Sequence, residues 1–327
     1  MSPRTAIEPA PTFVNIDELE EQARKILDPA SYDFIAGGAG AELTLKANRV
    51  GFDRITIVPR VSAGIKQADT TTILLDQELS MPIYVTSMSN QGVAHVSGEA
   101  GSAEGANQAR TLFVAPTGSN KTMEEIAVAN KNGPRWFQLY YNKNSDVNTD
   151  LLQRAEKTGY SAIVLTVDFP VLGLRERNIR NQFALPQDLQ RANVSSERSM
   201  LAFRGLQSLV TGTKEDLTWD DYEWTRKHTS LPVLVKGILS VEDAKEAVRH
   251  HVPGIIVSNH GGRQLDTGIG AIDALPPIVD TVRESKMMIL FDSGVRRGID
   301  VFKALALGAH AVGVGRPVLY GLTVQRE

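Results

Sequence analysis

Eight short runs of unbroken hydrophobicity constrain this chain more than any other feature. They lie at 83–86, 112–115, 136–140, 162–167, 233–236, 254–258, 288–292 and 311–315. Alternating polar and apolar residues would mark strands with one wet face. Continuous apolar runs mark strands buried on both faces, and such strands belong to a parallel sheet covered by helices. Helix-like segments fill most of the gaps, at 97–108, 122–129, 147–157, 218–227, 240–250, 277–284 and 300–307. The chain is therefore read as α/β. A doubly wound open sheet shows the same alternation, but eight units are the count of a (β/α)8 TIM barrel. No Gly-x-Gly-x-x-Gly follows the first strand, which argues against dinucleotide binding.

Ahead of the barrel, which begins at about residue 82, lies a helical segment. Asn15 and Glu18 resemble a capping box that opens a helix reaching Ile26. Further helical pieces surround 32–35 and 42–49, and 55–58 with 71–75 suit a small hairpin. Residues 1–14 read as a disordered tail, and 15–327 as a single domain. The connection 184–217 is the longest, a length common in lids and mobile loops. Ten residues follow Pro317, fewer than the roughly 11–12 of an average helix. The eighth helix is thus expected to be stunted or absent, a shortened C-terminus.

Composition narrows the function. The chain lacks cysteine, which removes thiolate nucleophiles, disulfides, iron–sulfur clusters and Cys-zinc sites. A net charge of -3 without any basic run gives no reason to expect nucleic acid. No apolar run is long enough to cross a membrane, the first twelve residues lack the apolar core of a signal peptide, and the cytoplasm is the default location. No acidic or histidine cluster has metal-ligand spacing, so no metal is expected.

A barrel carries its chemistry at the C-terminal ends of its strands, and six consecutive strand ends here are polar. Gln138 and Tyr140 end the third, Thr166 and Asp168 the fourth, with Arg175 beyond. Lys236 ends the fifth, Ser258, Asn259 and His260 the sixth, Asp292 the seventh, and Gly315-Arg316 the eighth. Gly294 and Gly298 flank Arg296 and Arg297 just before a helix start. With Gly315-Arg316, this reads as a phosphate site: glycine lets backbone N–H groups approach, the helix N-terminus favours an anion, and arginine pairs with it. The competing reading is surface turns with solvated arginines. His260 is the candidate base, because an imidazole can take a proton at neutral pH and Asp168 can stabilise the charged form. The other five histidines, on helices or strand starts, read as structural. Arg175 and Arg263 can clamp a carboxylate, or else pair with Glu176 or Asp266. Lys236 is either a Schiff-base lysine, as in an aldolase, or a fixed charge beside a cofactor.

The nine-residue cassette from Ser258 to Asp266 (Ser-Asn-His-Gly-Gly-Arg-Gln-Leu-Asp), with Asp292-Ser-Gly-Val-Arg-Arg-Gly298 and Gly315-Arg-Pro317, resembles the FMN-dependent L-2-hydroxy acid oxidase family. Trp136-Phe-Gln-Leu-Tyr140, Leu165-Thr-Val-Asp168 and Val235-Lys-Gly237 carry the same resemblance, which runs from about Asn15 to Leu322. The Asp-Ser-Gly at 292–294 is most similar to lactate oxidase-like members. The resemblance implies FMN as cofactor, a small lactate-like 2-hydroxy acid as substrate, dioxygen as electron acceptor with peroxide as product, and a homo-oligomer, a tetramer. It implies His260 as base with Asp168 behind it, Arg175 and Arg263 on the substrate carboxylate, and Tyr140 on the substrate oxygen. Lys236 would face reduced flavin. Gln138, Thr166 and Ser258 would contact the ring or ribityl chain, and Asp292, Gly294, Arg296, Gly315 and Arg316 the phosphate end.

Several positions depart from the family pattern. Phe34 stands where a tyrosine is usual. Thr86-Ser87 replaces Ala-Pro at the end of the first strand. Ala115-Pro116-Thr117-Gly118 replaces a hydroxyl pair and an aromatic residue at the second. A dehydrogenase or lactate monooxygenase of the same family, or a flavin-binding homologue with weak turnover, are the alternatives these departures leave.

Overall fold

The computed structural model describes residues 13–186, 188–194 and 212–324. All eight apolar runs form strands: β3 (Ile83–Val85), β4 (Phe113–Pro116), β5 (Arg135–Leu139), β6 (Ile163–Thr166), β7 (Val233–Ile238), β8 (Gly254–Val257), β9 (Met288–Phe291) and β10 (Ala311–Val314). They pair in parallel, in sequence order, and β10 closes on β3 to complete a barrel. Each strand sends alternate residues to two apolar layers. Tyr84, Val114, Trp136, Val164, Leu234 and Leu290 fill one cluster. Their neighbours Ala115, Phe137, Leu165, Val235 and Phe291 pack with residues of the surrounding helices. Because both faces are covered, the strands needed no polar alternation.

The helices after the strands are α4 (Gly98–Gln108), α5 (Met123–Asn130), α6 (Ser145–Lys157), α7 (Glu176–Arg180), α8 (Trp219–Lys227), α9 (Val241–Arg249), α10 (Ala271–Val282), α11 (Gly298–Ala306) and α12 (Arg316–Val324). Before them come α1 (Ile16–Ile26), α2 (Pro29–Ala36) and α3 (Leu43–Asp53). Asn15 caps α1 by accepting from the Glu18 N–H at 2.9 Å, while the Glu18 carboxylate accepts from Val14 N–H, one residue before the expected partner.

Three expectations need correction. The stretch 55–58 is not a strand. β1 (Thr72–Leu74) pairs instead with β2 (Gln77–Leu79), through a turn whose residues Leu75 and Asp76 have φ of 46° and 63°. A two-residue turn of this hand matches strand twist, so the nearer segment wins. Helix α10 starts at Ala271 rather than at Pro277, because the Asn48 side chain accepts the Ala271 N–H at 3.0 Å and fixes the first turn upstream of the prolines. The eighth barrel helix is present. α12 starts directly after β10 and runs nine residues within the described chain. Of the long connection 184–217, residues 187 and 195–211 lie outside the described residues, as do 1–12 of the expected tail.

The N-terminal helices position the site. Asn48 on α3 exchanges two side-chain hydrogen bonds with Asn259, at 2.8 and 2.7 Å, and both residues are buried. Arg49 bonds the Gly294 carbonyl and reaches Asp300 at 2.7 Å. Thr44 N–H donates to Asp266 at 2.9 Å. Thus α3 holds the loops after both β8 and β9. Replacing Asn48 strands a buried amide on Asn259, which costs about 1–3 kcal/mol. Asn48→Ala is therefore expected to lower stability by that amount in denaturant titration, whereas a change below about 0.5 kcal/mol would show that water replaces the bond.

Candidate active site

His260 stands on the turn after β8 with φ of 59°, followed by Gly261 and Gly262, also at positive φ. A non-glycine residue keeps such a backbone only where its surroundings over-determine it. Here Ser258 Oγ accepts from His260 N–H at 3.1 Å, Ser293 Oγ from Gly261 N–H at 3.0 Å, and Asn259 Oδ1 from Gly262 N–H at 3.1 Å. The imidazole Nδ1 lies 2.9 Å from Asp168 Oδ1, and Nε2 lies 3.3 Å from Tyr140 Oη. With Nδ1–H donating to the carboxylate, Nε2 keeps its lone pair. Gly237, at φ 111°, admits this pair: a Cβ there would fall 2.5 Å from Asp168 Cβ. The Phe169 ring packs 5.6 Å from the imidazole and 4.8 Å from the Tyr140 ring.

The electrostatics suit a base. Burial pulls His260 below its ordinary value, Asp168 partly restores it, and the charges of Lys236 and Arg175 pull it down again. Burial alone would raise Asp168, but the charges of His260 and Lys236 outweigh it and hold the carboxyl below its usual range. Burial pushes the Tyr140 phenol well up, so it stays protonated.

The cleft before these groups encloses about 1090 Å³ of open space, its mouth included. His260, Tyr140, Arg175, Arg263, Lys236, Asp292, Gly294, Arg296, Gly315 and Arg316 all line it. Arg175 is buried and its Nε makes no hydrogen bond among the described residues. Arg263 donates to the carbonyls of Ile35 and Gly37, at 3.3 and 2.9 Å, and lies over the Phe34 ring. Neither arginine pairs with Glu176 or Asp266 among the described residues. Desolvation lowers Arg175 to about 10, and desolvation, with the charges of Arg175 and Arg316, pulls Arg263 well below its ordinary value. Lys236 Nζ donates to Ser258 Oγ at 3.0 Å and sits 3.7 Å from Asp292, which also accepts from Thr86 Oγ1 at 2.8 Å.

At the expected phosphate end, Arg296 faces the cleft, while Arg297 turns outward to Asp17 at 2.8 Å. The N-terminus of α11 is not open to an anion as anticipated. Asp300 Oδ2 already accepts from the N–H groups of Arg296 and Arg297, at 2.9 and 3.0 Å. The helix start that opens on the cleft is that of α12, at Gly315-Arg316. Arg316 is buried and bonds three carbonyls, those of Ile35, Gly37 and Gly261, at 3.0, 2.9 and 3.1 Å. Gln138 and Thr166 lie near the ends of β5 and β6, Ser258 follows β8, and all three are buried, with Ser258 Oγ accepting from Lys236 Nζ on the cleft wall.

Sequence reasoning did not single out Asn48, Phe169, Ser293 or Arg191 as site residues. Ser293 was findable within the Asp-Ser-Gly motif. Nothing local flags Asn48, whose partner is 211 residues away. Among the described residues no cluster of metal-ligating side chains occurs, and no helix is long and apolar enough to cross a membrane.

Comparison with known proteins agrees with this geometry. Residues 23–327 match the family described as FMN-dependent dehydrogenase. The chain is 44% identical to the L-lactate oxidase of Nostoc sp. (strain PCC 7120 / SAG 25.82 / UTEX 2576), covering 95% of this chain and 87% of that one. It is 42% identical to the glycolate oxidase of Spinacia oleracea, covering 96% and 86%. Among solved structures, a putative lactate oxidase of Pediococcus acidilactici superposes with a TM-score of 0.90 at 38% identity, covering 97% and 85%. A mandelate oxidase with (S)-4-hydroxymandelic acid superposes with a TM-score of 0.90 at 40% identity, covering 95% and 88%.

FMN joins a flat ring rich in hydrogen-bonding groups to a phosphate, and the site suits both parts. Among the described residues Gln138 Nε2 and Thr166 Oγ1 are buried without hydrogen-bond partners near the ends of neighbouring strands, a costly state that a polar ring edge would relieve. Lys236 supplies a fixed charge nearby, and the cleft runs on to Arg296, Gly315 and Arg316. A match over nearly the whole sequence thus meets a cleft whose unsatisfied groups suit the cofactor, and the chain belongs to the FMN-dependent dehydrogenase family.

Proposed function

We propose that this protein oxidises small L-2-hydroxy acids to 2-oxo acids and returns the electrons to dioxygen as hydrogen peroxide. The observation that carries this reading is the hydrogen-bonded Asp168–His260–Tyr140 chain, which meets the same cleft as two buried arginines, Arg175 and Arg263. The similarity to L-lactate and glycolate oxidases supports the substrate class.

In this reading Arg175 and Arg263 bind the substrate carboxylate, and their charge, little screened in a buried site, orients the acid. Tyr140 Oη hydrogen-bonds the substrate oxygen. His260 Nε2 takes the proton released as the alcohol becomes a carbonyl, and Asp168 stabilises the resulting imidazolium through Nδ1. FMN, when bound, supplies the acceptor for the two electrons. Gln138, Thr166 and Ser258 would hold its ring and ribityl chain, Lys236 would balance the negative charge of its reduced form, and Asp292, Gly294, Arg296, Gly315 and Arg316 would hold its phosphate end. Phe34, stacked at 4.4 Å on Phe183, offers the substrate a ring face and no hydroxyl. Homo-oligomer formation, as a tetramer, belongs to the same reading and is supported by Val58, Val61 and Ile65, which lie exposed in one segment.

His260→Ala is expected to keep the yellow flavin spectrum and to slow anaerobic bleaching by L-lactate about 10²–10⁴-fold. Unchanged bleaching would remove the histidine from the reaction. Because the neutral imidazole is the active form and its pKa is lowered, kcat/KM should fall only as pH drops through a value below about 6.5. An acid limb above that value would contradict the assignment. In air, the wild-type holoprotein should form one peroxide per 2-oxo acid; product without peroxide would point to a dehydrogenase or monooxygenase.

A further inference from the structure

Lys236 lines the cleft beside a carboxylate, Asp292, and both side chains are buried. A tight ion pair in such a site would cancel much of the lysine's charge. This pair is open instead. Lys236 Nζ and Asp292 Oδ2 are 3.7 Å apart, well beyond the roughly 2.7–2.9 Å of a charge-assisted hydrogen bond.

Neutral hydroxyls hold the two charges apart. Lys236 Nζ donates to Ser258 Oγ at 3.0 Å. Ser293 Oγ donates to Asp292 Oδ1 at 3.0 Å, and Thr86 Oγ1 donates to Asp292 Oδ2 at 2.8 Å. The oxygen that Thr86 engages is therefore the one that faces the lysine. Ser293 is also committed to the His260 turn, where its Oγ accepts from Gly261 N–H at 3.0 Å. The backbones on either side are fixed by the barrel. Thr86 N–H donates to Val314 O at 3.1 Å, and Asp292 N–H donates to Val257 O at 3.1 Å. The setting of the carboxylate then depends on its hydroxyl donors. Alanine, the usual residue of the family pattern at position 86, has no such donor.

We propose that Thr86 is a positioning residue: its hydroxyl holds the Asp292 carboxylate off Lys236 and so keeps the lysine's charge available to the reduced flavin. This rests on the reading above in which Lys236 faces the flavin. Without the hydroxyl, Asp292 Oδ2 loses its donor and closes on Lys236 Nζ. The positive field then weakens, and the negatively charged reduced cofactor loses stabilisation relative to the oxidised one.

The reduction potential of the bound flavin reads this directly. It is measured by reductive titration against a reference dye and needs no hydroxy acid, so it stands apart from the substrate and acceptor assignments. Thr86→Val keeps the β-branched shape and removes the hydroxyl. It should shift the equilibrium about tenfold toward oxidised flavin, a fall of about 30 mV for a two-electron couple. Thr86→Ala is a second variant without the donor and should fall likewise, while Thr86→Ser should keep the wild-type potential. Fluorescence titration of the FMN-free protein with oxidised FMN should give a nearly unchanged Kd in Thr86→Val. A site that is merely loosened would weaken both oxidation states alike and leave the potential where it was. Asp292→Asn should raise the potential, and adding Thr86→Val to it should move the value no further. Lys236→Met should lower it. If Lys236→Met lowers the potential but neither Thr86→Val nor Thr86→Ala does, the proposal is overturned while Lys236 keeps its place beside the flavin. A Thr86→Val shift of full size in the Asp292→Asn background also overturns it. An unchanged potential in Lys236→Met removes the lysine from the flavin, and the proposal falls with that reading.

Discussion

Two buried arginines share the carbonyls at the end of helix α2, and much of the site depends on that arrangement. Arg263, from the loop after β8, and Arg316, at the start of α12, both donate to Ile35 O and Gly37 O. A helix C-terminus leaves carbonyls unsatisfied and carries partial negative charge. It therefore satisfies guanidinium donors without cancelling their charge. Arginines away from the cleft are treated differently: Arg297 pairs with Asp17, Arg177 with Glu42 and Asp33, and Arg154 with Glu124. Burying a cation without a counter-ion costs several kcal/mol. That cost is recovered when an anion enters, so the fold is arranged to favour anionic ligands.

The same arrangement explains the N-terminal helices. They precede the barrel, yet they supply the carbonyls for two arginines, the Asn48 amide for Asn259, and the Arg49 guanidinium for Gly294 and Asp300. The His260 turn thus has support from α3, from Ser293 after β9, and from Arg316 on α12. A left-handed histidine backbone stays in place because these bonds come from separate elements, and no single one can relax without straining the others.

Where the sequence was legible, one local rule had one physical consequence. Continuous apolar runs gave eight buried strands in the right order, since two-sided burial leaves no alternation to misread. Polar strand ends gave the rim, and His260 and Asp168 met as expected although 92 residues separate them. The illegible parts were contests between distant segments. The stretch 55–58 has strand-like residues, but Gln77–Leu79 lay closer to Thr72–Leu74 across a two-residue turn. The α11 N-terminus looked open to an anion until Asp300, three residues into the helix, folded back to cap it.

The sequence by itself determined the barrel, the polar rim and the identity of the groups on it, because strand burial and strand-end polarity repeat with a short period. Only the tertiary structure decided which cations keep their charge available. Arg263 and Arg316 bind neutral carbonyls at the end of α2, whereas Arg297 is neutralised by Asp17. Pairing of a charge depends on what folds against it, and spacing along the chain carries no record of that.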